Sequence, residues 1–396
     1  MSDPWLTIIG ITENGLTDLG DASRRALAAA QVIFGGPRHL QLGGAGDRGR
    51  PWPVPFDISP VLALRGQRVA VLVSGDPFWF GAGGSLAAAL EPGEWRALPA
   101  PGVLSLAAAR LGWRTEACVT LGLHAAPFAR LRPHLARGCR VIATLRDGEA
   151  PAELAAWLTA EGAGAMRMVV LERLGGPAER VRRTVAAEFM LHGVAAPVAV
   201  ALDGTDLPRG WGLAAVPGRD EDLFAHRGQI TKSPIRALSL AALQPRSGAL
   251  LWDIGGGSGS ISVEWTLAGG RAICLEPRAD RLDLIRTNLD DFGVADRVTL
   301  HQGAAPQALV GLPEPDAVFV GGGASAALFD ALWPTLPPGT RLVANAVTLE
   351  TERLLADLHA GHGGELTRIE IARAAPLGTM RAWQPARPVV QWAVNR

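Results

Sequence analysis

Two glycine-rich turns, each placed where a short apolar strand should end, constrain this chain more than any other feature. One is Ser74-Gly75-Asp76-Pro77-Phe78, after the apolar run 69–73. The other is Asp253-Ile254-Gly255-Gly256-Gly257-Ser258-Gly259, closing the run 249–253. Glycine lets the backbone turn sharply and approach another backbone or a ligand closely. Apolar strands that alternate with alanine- and leucine-rich stretches are covered on both faces by helices, which is the α/β arrangement. The pattern predicts strands at 6–11, 119–121, 140–144, 168–171 and 197–202, with helices at 22–30, 83–90, 104–111, 152–160 and 178–191. A new series follows a polar, turn-rich stretch at 216–222. It has strands at 271–276, 298–301, 317–320 and 341–344 and helices at 260–267 and 278–292.

A chain of 396 residues, at roughly 100–200 residues per domain, holds two or three domains. Charged residues make up 19% and hydrophobic residues 48% of the chain, which excludes a disordered protein. The formal net charge is +0, so no whole-chain field draws it to nucleic acid or to a membrane surface. The three cysteines, Cys118, Cys139 and Cys274, form no Cys-x-x-Cys pair, and no metal site is expected. Met1-Ser2-Asp3-Pro4-Trp5 lacks the basic and apolar regions of a secretion signal. A cytoplasmic enzyme that neither enters a membrane nor binds nucleic acid is the expectation. Lys232 is the one lysine among 38 lysines and arginines, which makes it conspicuous.

Asp253-x-Gly255-x-Gly257-x-Gly259 stands where a strand hands over to a helix, and Glu276 closes the next strand, where a carboxylate can accept from ribose hydroxyls. A dinucleotide fingerprint needs a third glycine where Ser260 stands. The alternating glycines and Asp253 favour S-adenosylmethionine (SAM) over NAD. Gly-Asp-Pro alone is a turn signal. His39 and His124 are read as packed or hydrogen-bonded side chains rather than as bases.

Further along, Gly228-Gln229-Ile230-Thr231-Lys232-Ser233, Gly303-Ala304-Ala305-Pro306-Gln307, Asp316-Ala317-Val318-Phe319-Val320-Gly321-Gly322-Gly323 and Ala344-Asn345-Ala346-Val347-Thr348 follow in order. With the glycine motif, they resemble the decarboxylating precorrin methyltransferases of cobalamin synthesis, over residues 224–396. In the first half, Ile8-Ile9-Gly10-Ile11, Phe34-Gly35-Gly36-Pro37-Arg38-His39, the Gly-Asp-Pro turn, Pro101-Gly102-Val103-Leu104-Ser105 and Leu171-Glu172-Arg173-Leu174-Gly175-Gly176 occur in order. These resemble the tetrapyrrole (class III) methyltransferases, over residues 4–216.

The resemblance implies two domains. Residues 1–222 would form a tetrapyrrole methylase domain with lobes at about 1–113 and 114–216, and 223–396 a Rossmann-like class I SAM methyltransferase. It implies one SAM per domain. Gly10, Gly75, Asp76, Pro77 and Ser105 would hold the first. Thr231, Asp253, Gly255, Gly256, Gly257, Ser258, Glu276, Gly259, Gly303, Ala304 and Ala305 would surround the second, although relatives commonly have Asp where Ala304 stands. Lys232, Asn345 and Arg381 are the catalytic candidates near a precorrin tetrapyrrole, Lys232 and Arg381 gripping substrate carboxylates. The arginine clusters Arg24-Arg25, Arg48/Arg50 and Arg180/Arg182/Arg183 are further candidate contacts. Methylation at C-5 and C-15, loss of CO2 from the ring C acetate and assembly into a homo-oligomer through the second domain are implied as well. A sensor with one inactive module and an NAD-dependent tetrapyrrole reductase stand as alternatives.

Overall fold

The structure, a computed structural model, describes residues 4–396; Met1, Ser2 and Asp3 of the terminus read above lie outside them. Two compact units divide the chain. One runs as far as Phe128 and resumes over His134–Trp211, and the other takes Ala129–Pro133 and Gly212–Arg396.

The first unit holds two sheets. In one, the strands run in the order Gly49–Pro51, Val32–Gly35, Val69–Ser74, Leu6–Ile11, Trp95–Leu98, all parallel. Alternate residues of its central strands feed opposite faces: Ile9, Ile11, Ala70 and Leu72 pack on one side, and Leu6, Ile8, Val69, Val71 and Val73 on the other. Burial on both faces is why these strands read as unbroken apolar runs. The second sheet has the order Val119–Gly122, Arg140–Leu145, Val198–Asp203, Arg167–Glu172, Arg180–Val185, antiparallel except for its first pair.

Its last strand corrects one expectation. Residues 178–191 form the strand Arg180–Val185 and a short 3-10 turn, Ala186–Glu188, instead of a helix. Arg180 and Arg182, two residues apart, project to one face. Both reach the fully buried Glu172 on the adjacent strand, Arg182 Nε at 2.8 Å, while Ala195 N donates to the same carboxylate at 2.6 Å. Two other basic clusters also serve the fold. Arg48 Nη1 donates to the carbonyls of Leu27, Ala28 and Ala30 at 3.1, 3.3 and 2.7 Å, around the end of the helix Asp21–Ala29. Arg24 Nε donates to Leu19 O at 2.7 Å.

The second unit is an open sheet in the order Val298–Gln302, Arg271–Glu276, Leu250–Ile254, Ala317–Val320, Arg341–Ala346, Val389–Asn395, Glu365–Ile369. The first five strands are parallel and the last two pair antiparallel. Ala272, Cys274, Ala317 and Phe319 enter one apolar cluster, and Ile273, Leu275, Val318 and Val320 the other. The strand order reverses between Leu250–Ile254 and Ala317–Val320, and in open α/β sheets ligands gather at such a switch point. No helix among the described residues is long and apolar enough to cross a membrane.

The polar stretch 216–222 is pinned in place. Glu264 lies inside the buried helix Ser260–Leu267 and accepts from Gly218 N at 2.7 Å, Arg219 N at 3.0 Å and Arg236 Nε at 3.0 Å. Arg236 is itself fully buried, and its remaining nitrogens donate to the carbonyls of Thr231 and Arg219. A buried charge is tolerable only when paired and hydrogen-bonded throughout. Glu264→Gln keeps the shape but strands the Arg236 guanidinium, so a loss of about 3–5 kcal/mol is expected. Chemical denaturation followed in the second unit measures it; a loss near zero would mean that water reaches this pair.

Candidate cofactor sites

In the first unit a cavity of about 530 Å³ opens where strand ends from its two sheets meet. The parallel sheet contributes Ile11–Glu13, Ser74–Asp76 and Ala100–Leu106, and the other contributes His124, Thr144, Leu145, Leu171 and Pro197–Ala199. The turn that shapes it follows from Gly75, whose φ is +50°. Gly75 N donates to Ile11 O and Ala100 N to Gly75 O, both at 3.1 Å, and Phe78 N closes an Asx turn on Asp76 Oδ1 at 2.9 Å. Gly75, Asp76 and Ser105 thus line the cavity. Gly10 and Pro77 are not among its lining residues. A Cβ on Gly10 would lie 1.9 Å from Gly75 O, so backbone packing beneath the turn already requires a glycine there.

A polar cluster that the sequence did not single out as a whole stands at the same place. Ser74 Oγ lies 2.7 Å from His39 Nε2 and accepts from Arg38 Nη2 at 3.0 Å, while Arg38 pairs with Glu13. Burial, and then the Arg38 charge, push His39 down to about 4. The ring is therefore neutral at physiological pH and hydrogen-bonded to the Ser74 hydroxyl, not a base poised near neutrality.

In the second unit the motif Gly255–Gly259 forms the turn at the switch point. Gly255 has φ +76°, and a Cβ there would meet Gly322 O at 2.7 Å. The backbone of Gly322 thus occupies the space that a side chain on Gly255 would need. Gly255 N and Gly256 N both donate to Leu275 O at 3.0 Å. Glu276 is fully buried and holds the loop: Oε2 accepts from Gly257 N at 2.9 Å, and Oε1 from Arg278 N at 3.1 Å. A cleft of about 100 Å³ beside it is lined by Gly257, Ser258, Gln229, His226, Arg278 and Arg281, among others. The Ser258 hydroxyl is buried without a hydrogen-bond partner, and such a group calls for a ligand or a water.

The other expected residues are spread out. Asp253 is buried and accepts from Ser262 Oγ at 2.6 Å and Ser262 N at 3.2 Å, tying its strand to the following helix. Gly303 packs against Ala308, and Ala304 O accepts from Ala308 N at 3.0 Å; Ala305 joins the apolar cluster beneath. Thr231 gives its carbonyl to Arg236. The three catalytic candidates each have their own surroundings. Lys232 Nζ is 3.3 Å from Glu221 Oε2 on the surface. Asn345 Nδ2 donates to Ser239 Oγ at 2.8 Å, and its Oδ1 accepts from Gln391 Nε2 at 3.0 Å, an interior network. Arg381 lies on the exposed strand Met380–Pro385 of a two-stranded hairpin.

Residues 6–189 match the family model described as Tetrapyrrole (Corrin/Porphyrin) Methylases, and residues 222–396 match the one described as Precorrin methyltransferase domain. A protein of Sinorhizobium sp named precorrin-6Y C(5,15)-methyltransferase [decarboxylating] is 48% identical over 98% of this chain and 96% of its own length. The chain belongs to the precorrin-6Y C5,15-methyltransferase (decarboxylating) family. The solved C-terminal domain of such an enzyme from Rhodobacter capsulatus is 64% identical, covering 46% of this chain and all (100%) of that domain, with a TM-score of 0.46. A probable cobalt-precorrin-6B C(15)-methyltransferase (decarboxylating) of Pyrobaculum calidifontis is 36% identical over 44% of this chain and 94% of its own length. Fold and family agree: an α/β chain with a tetrapyrrole methylase part and a Rossmann-like part.

Burial, opposed by the Ser262 hydrogen bonds, raises Asp253 to about 6 from an ordinary 3.8. Between those values the unfolded chain has released a proton that the folded chain keeps. Stability of the second unit therefore falls as pH rises through this window, by at most about 1.4 kcal/mol per pH unit, and levels off above it. Asp253→Asn retains an acceptor for Ser262 and should flatten that slope. Denaturation of both proteins at several pH values tests this; parallel slopes would place the titration elsewhere.

Proposed function

We propose that residues 1–222 methylate C-5 of a reduced precorrin-6. Residues 223–396 methylate C-15 and release CO2 from the ring C acetate, and each part holds one SAM, in the cytoplasm. The observation that carries this reading is the presence of two separate glycine-shaped sites, each at strand ends within its own unit. The 530 Å³ cavity falls in the range of about 300–1,000 Å³ found for small-molecule pockets, with Gly75, Asp76 and Ser105 on its wall. At the second site the unpartnered Ser258 hydroxyl and the lone-pair capacity left on Glu276 suit the hydroxyls of a nucleoside. The freestanding Pyrobaculum relative, named for C-15 alone and matched by under half of this chain, supports the division of labour.

Bound SAM supplies a methyl group activated by its sulfonium. The protein's own part is to orient and to exclude water. The first cavity does both, because two sheets wall it. Its neutral His39 fixes the Ser74 hydroxyl, and Arg38, paired with Glu13, faces the cavity beside it. At the second site, a strong ion pair on the departing carboxylate would oppose its loss, so Lys232 and Arg381 grip other carboxylates of the macrocycle. Asn345 acts at most through Ser239 and Gln391, as a positioning residue.

We also propose a homo-oligomer formed through the second unit. The hairpin Ala372–Leu377/Met380–Pro385 is exposed along its length, with Leu377, Met380 and Trp383 at 65%, 76% and 75%. Leu377 and Met380 pair across the turn on one face and Trp383 lies on the other, and large apolar side chains exposed on a ribbon mark an interaction surface. Replacing Met380 and Trp383 by Ser should turn the assembly into monomers in sedimentation velocity; an unchanged sedimentation coefficient refutes this role.

The reaction test uses the full chain with single-site variants, reduced precorrin-6 and SAM, read by mass spectrometry. Gly75→Val should leave a product with one added methyl and CO2 lost. Gly259→Val, whose first side-chain carbon would meet Ile285 Cγ2 at 2.7 Å, should abolish CO2 loss. Two SAM molecules per chain are expected by calorimetry. If both variants give the wild-type product, the assignment of sites is wrong.

A further inference from the structure

Phe80 holds a backbone conformation that aromatic residues avoid. Its φ is +51°, in the left-handed region where a Cβ is crowded by the neighbouring carbonyl. Burial would offset that crowding, yet Phe80 is 63% exposed. Two edge-on ring contacts hold it. Trp79 lies at 5.0 Å and 86°, and His124 at 5.6 Å and 85°. Gly122 gives the ring its room, since a Cβ there would lie 2.9 Å from Phe80 Cε2. Trp79, Phe80 and His124 all line the cavity of the first unit. A strained residue kept in place without the reward of burial points to function.

We infer that Phe80, braced by Trp79 and His124, is the platform against which a conjugated stretch of the tetrapyrrole rests during methylation in the first unit. The inference depends on the reading above that this cavity takes the macrocycle. A ring left largely in water presents a free face for stacking. Orientation follows as well, because a face fixed by two perpendicular neighbours sets the plane of whatever lies on it. Phe80 is thus a substrate-contacting residue that selects flat, conjugated ligands, separate from the Gly75–Asp76 turn.

The test measures C-5 methylation by the full chain, varying tetrapyrrole and SAM separately. Phe80→Ala should raise KM for the tetrapyrrole about tenfold, the effect of losing one aromatic stacking partner, and leave KM for SAM unchanged. Phe80→Trp should retain wild-type KM. Phe80→Leu, aliphatic at the same φ, should resemble Phe80→Ala. Gly122→Ala displaces the ring while keeping it, and should raise KM in the same direction. An unchanged KM for SAM in C-5 methylation reports that the first unit is folded; if Phe80→Ala fails to fold, Phe80→Leu and Gly122→Ala decide. An unchanged tetrapyrrole KM overturns the inference, and so does a SAM KM that shifts by the same factor. Should the wild-type chain bind two SAM molecules yet add no methyl at C-5, the reading of the cavity itself falls, a result that needs no variant.

Discussion

The width of one methyl group decides both sites. The first turn stands because Gly10 lets the backbone of Gly75 and Ala100 come within a distance that any side chain would forbid, with Gly75 O 1.9 Å from where a Cβ would sit. The second stands because Gly255 and Gly322 meet in the same way across the switch point. Adjacent strand ends are drawn together before any ligand is considered, and the space left over is the binding site. A Cβ at either place would move backbone, not a side chain, and the loss would reach every residue on the wall.

Buried carboxylates do the second task, fixing the loops that leave those strands. Glu172 gathers Arg180, Arg182 and Ala195 N; Glu264 gathers Arg236 and the backbone of Gly218 and Arg219; Glu276 gathers Gly257 N and Arg278 N. Each has multiple donors, which is the condition for leaving a charge in the interior. Arginine suits this work because its planar fork satisfies several acceptors at once. Several of the basic residues therefore hold up the protein and are not left over for substrate carboxylates.

Legibility in the sequence follows the range of the interaction involved. The glycine turns could be read because sterics alone dictate the residue, and the ordered apolar runs because both strand faces are buried. Arg180–Val185 was misread as helix because its alternating arginines answer to Glu172, a partner visible only once the strands are paired. Asn345 looked like a site residue at a strand end, but its partners Ser239 and Gln391 lie 106 and 46 residues away in sequence. Gly10 reads as a cofactor residue in the sequence, and the fold adds a backbone demand for glycine there, since close approach to a ligand and to a backbone leave the same residue. Nothing in the letters Trp79-Phe80-Gly81 announces a positive φ, so the platform came from the fold alone.

On the proposed division of labour, the two units meet the same chemical demand by different means. Methyl transfer needs a dry, oriented site. The first unit makes one from its own two sheets, with a cavity of about 530 Å³. The second sets its glycine loop at the switch point inside an open sheet, beside a cleft of about 100 Å³. In the proposed assembly, water exclusion there comes from the macrocycle and from apolar surface of a neighbouring copy. An exposed hairpin bearing Leu377, Met380 and Trp383 has the right chemistry for that task. In the proposed assembly the second site is closed from outside, whereas the first cavity is walled by the two sheets of its own unit.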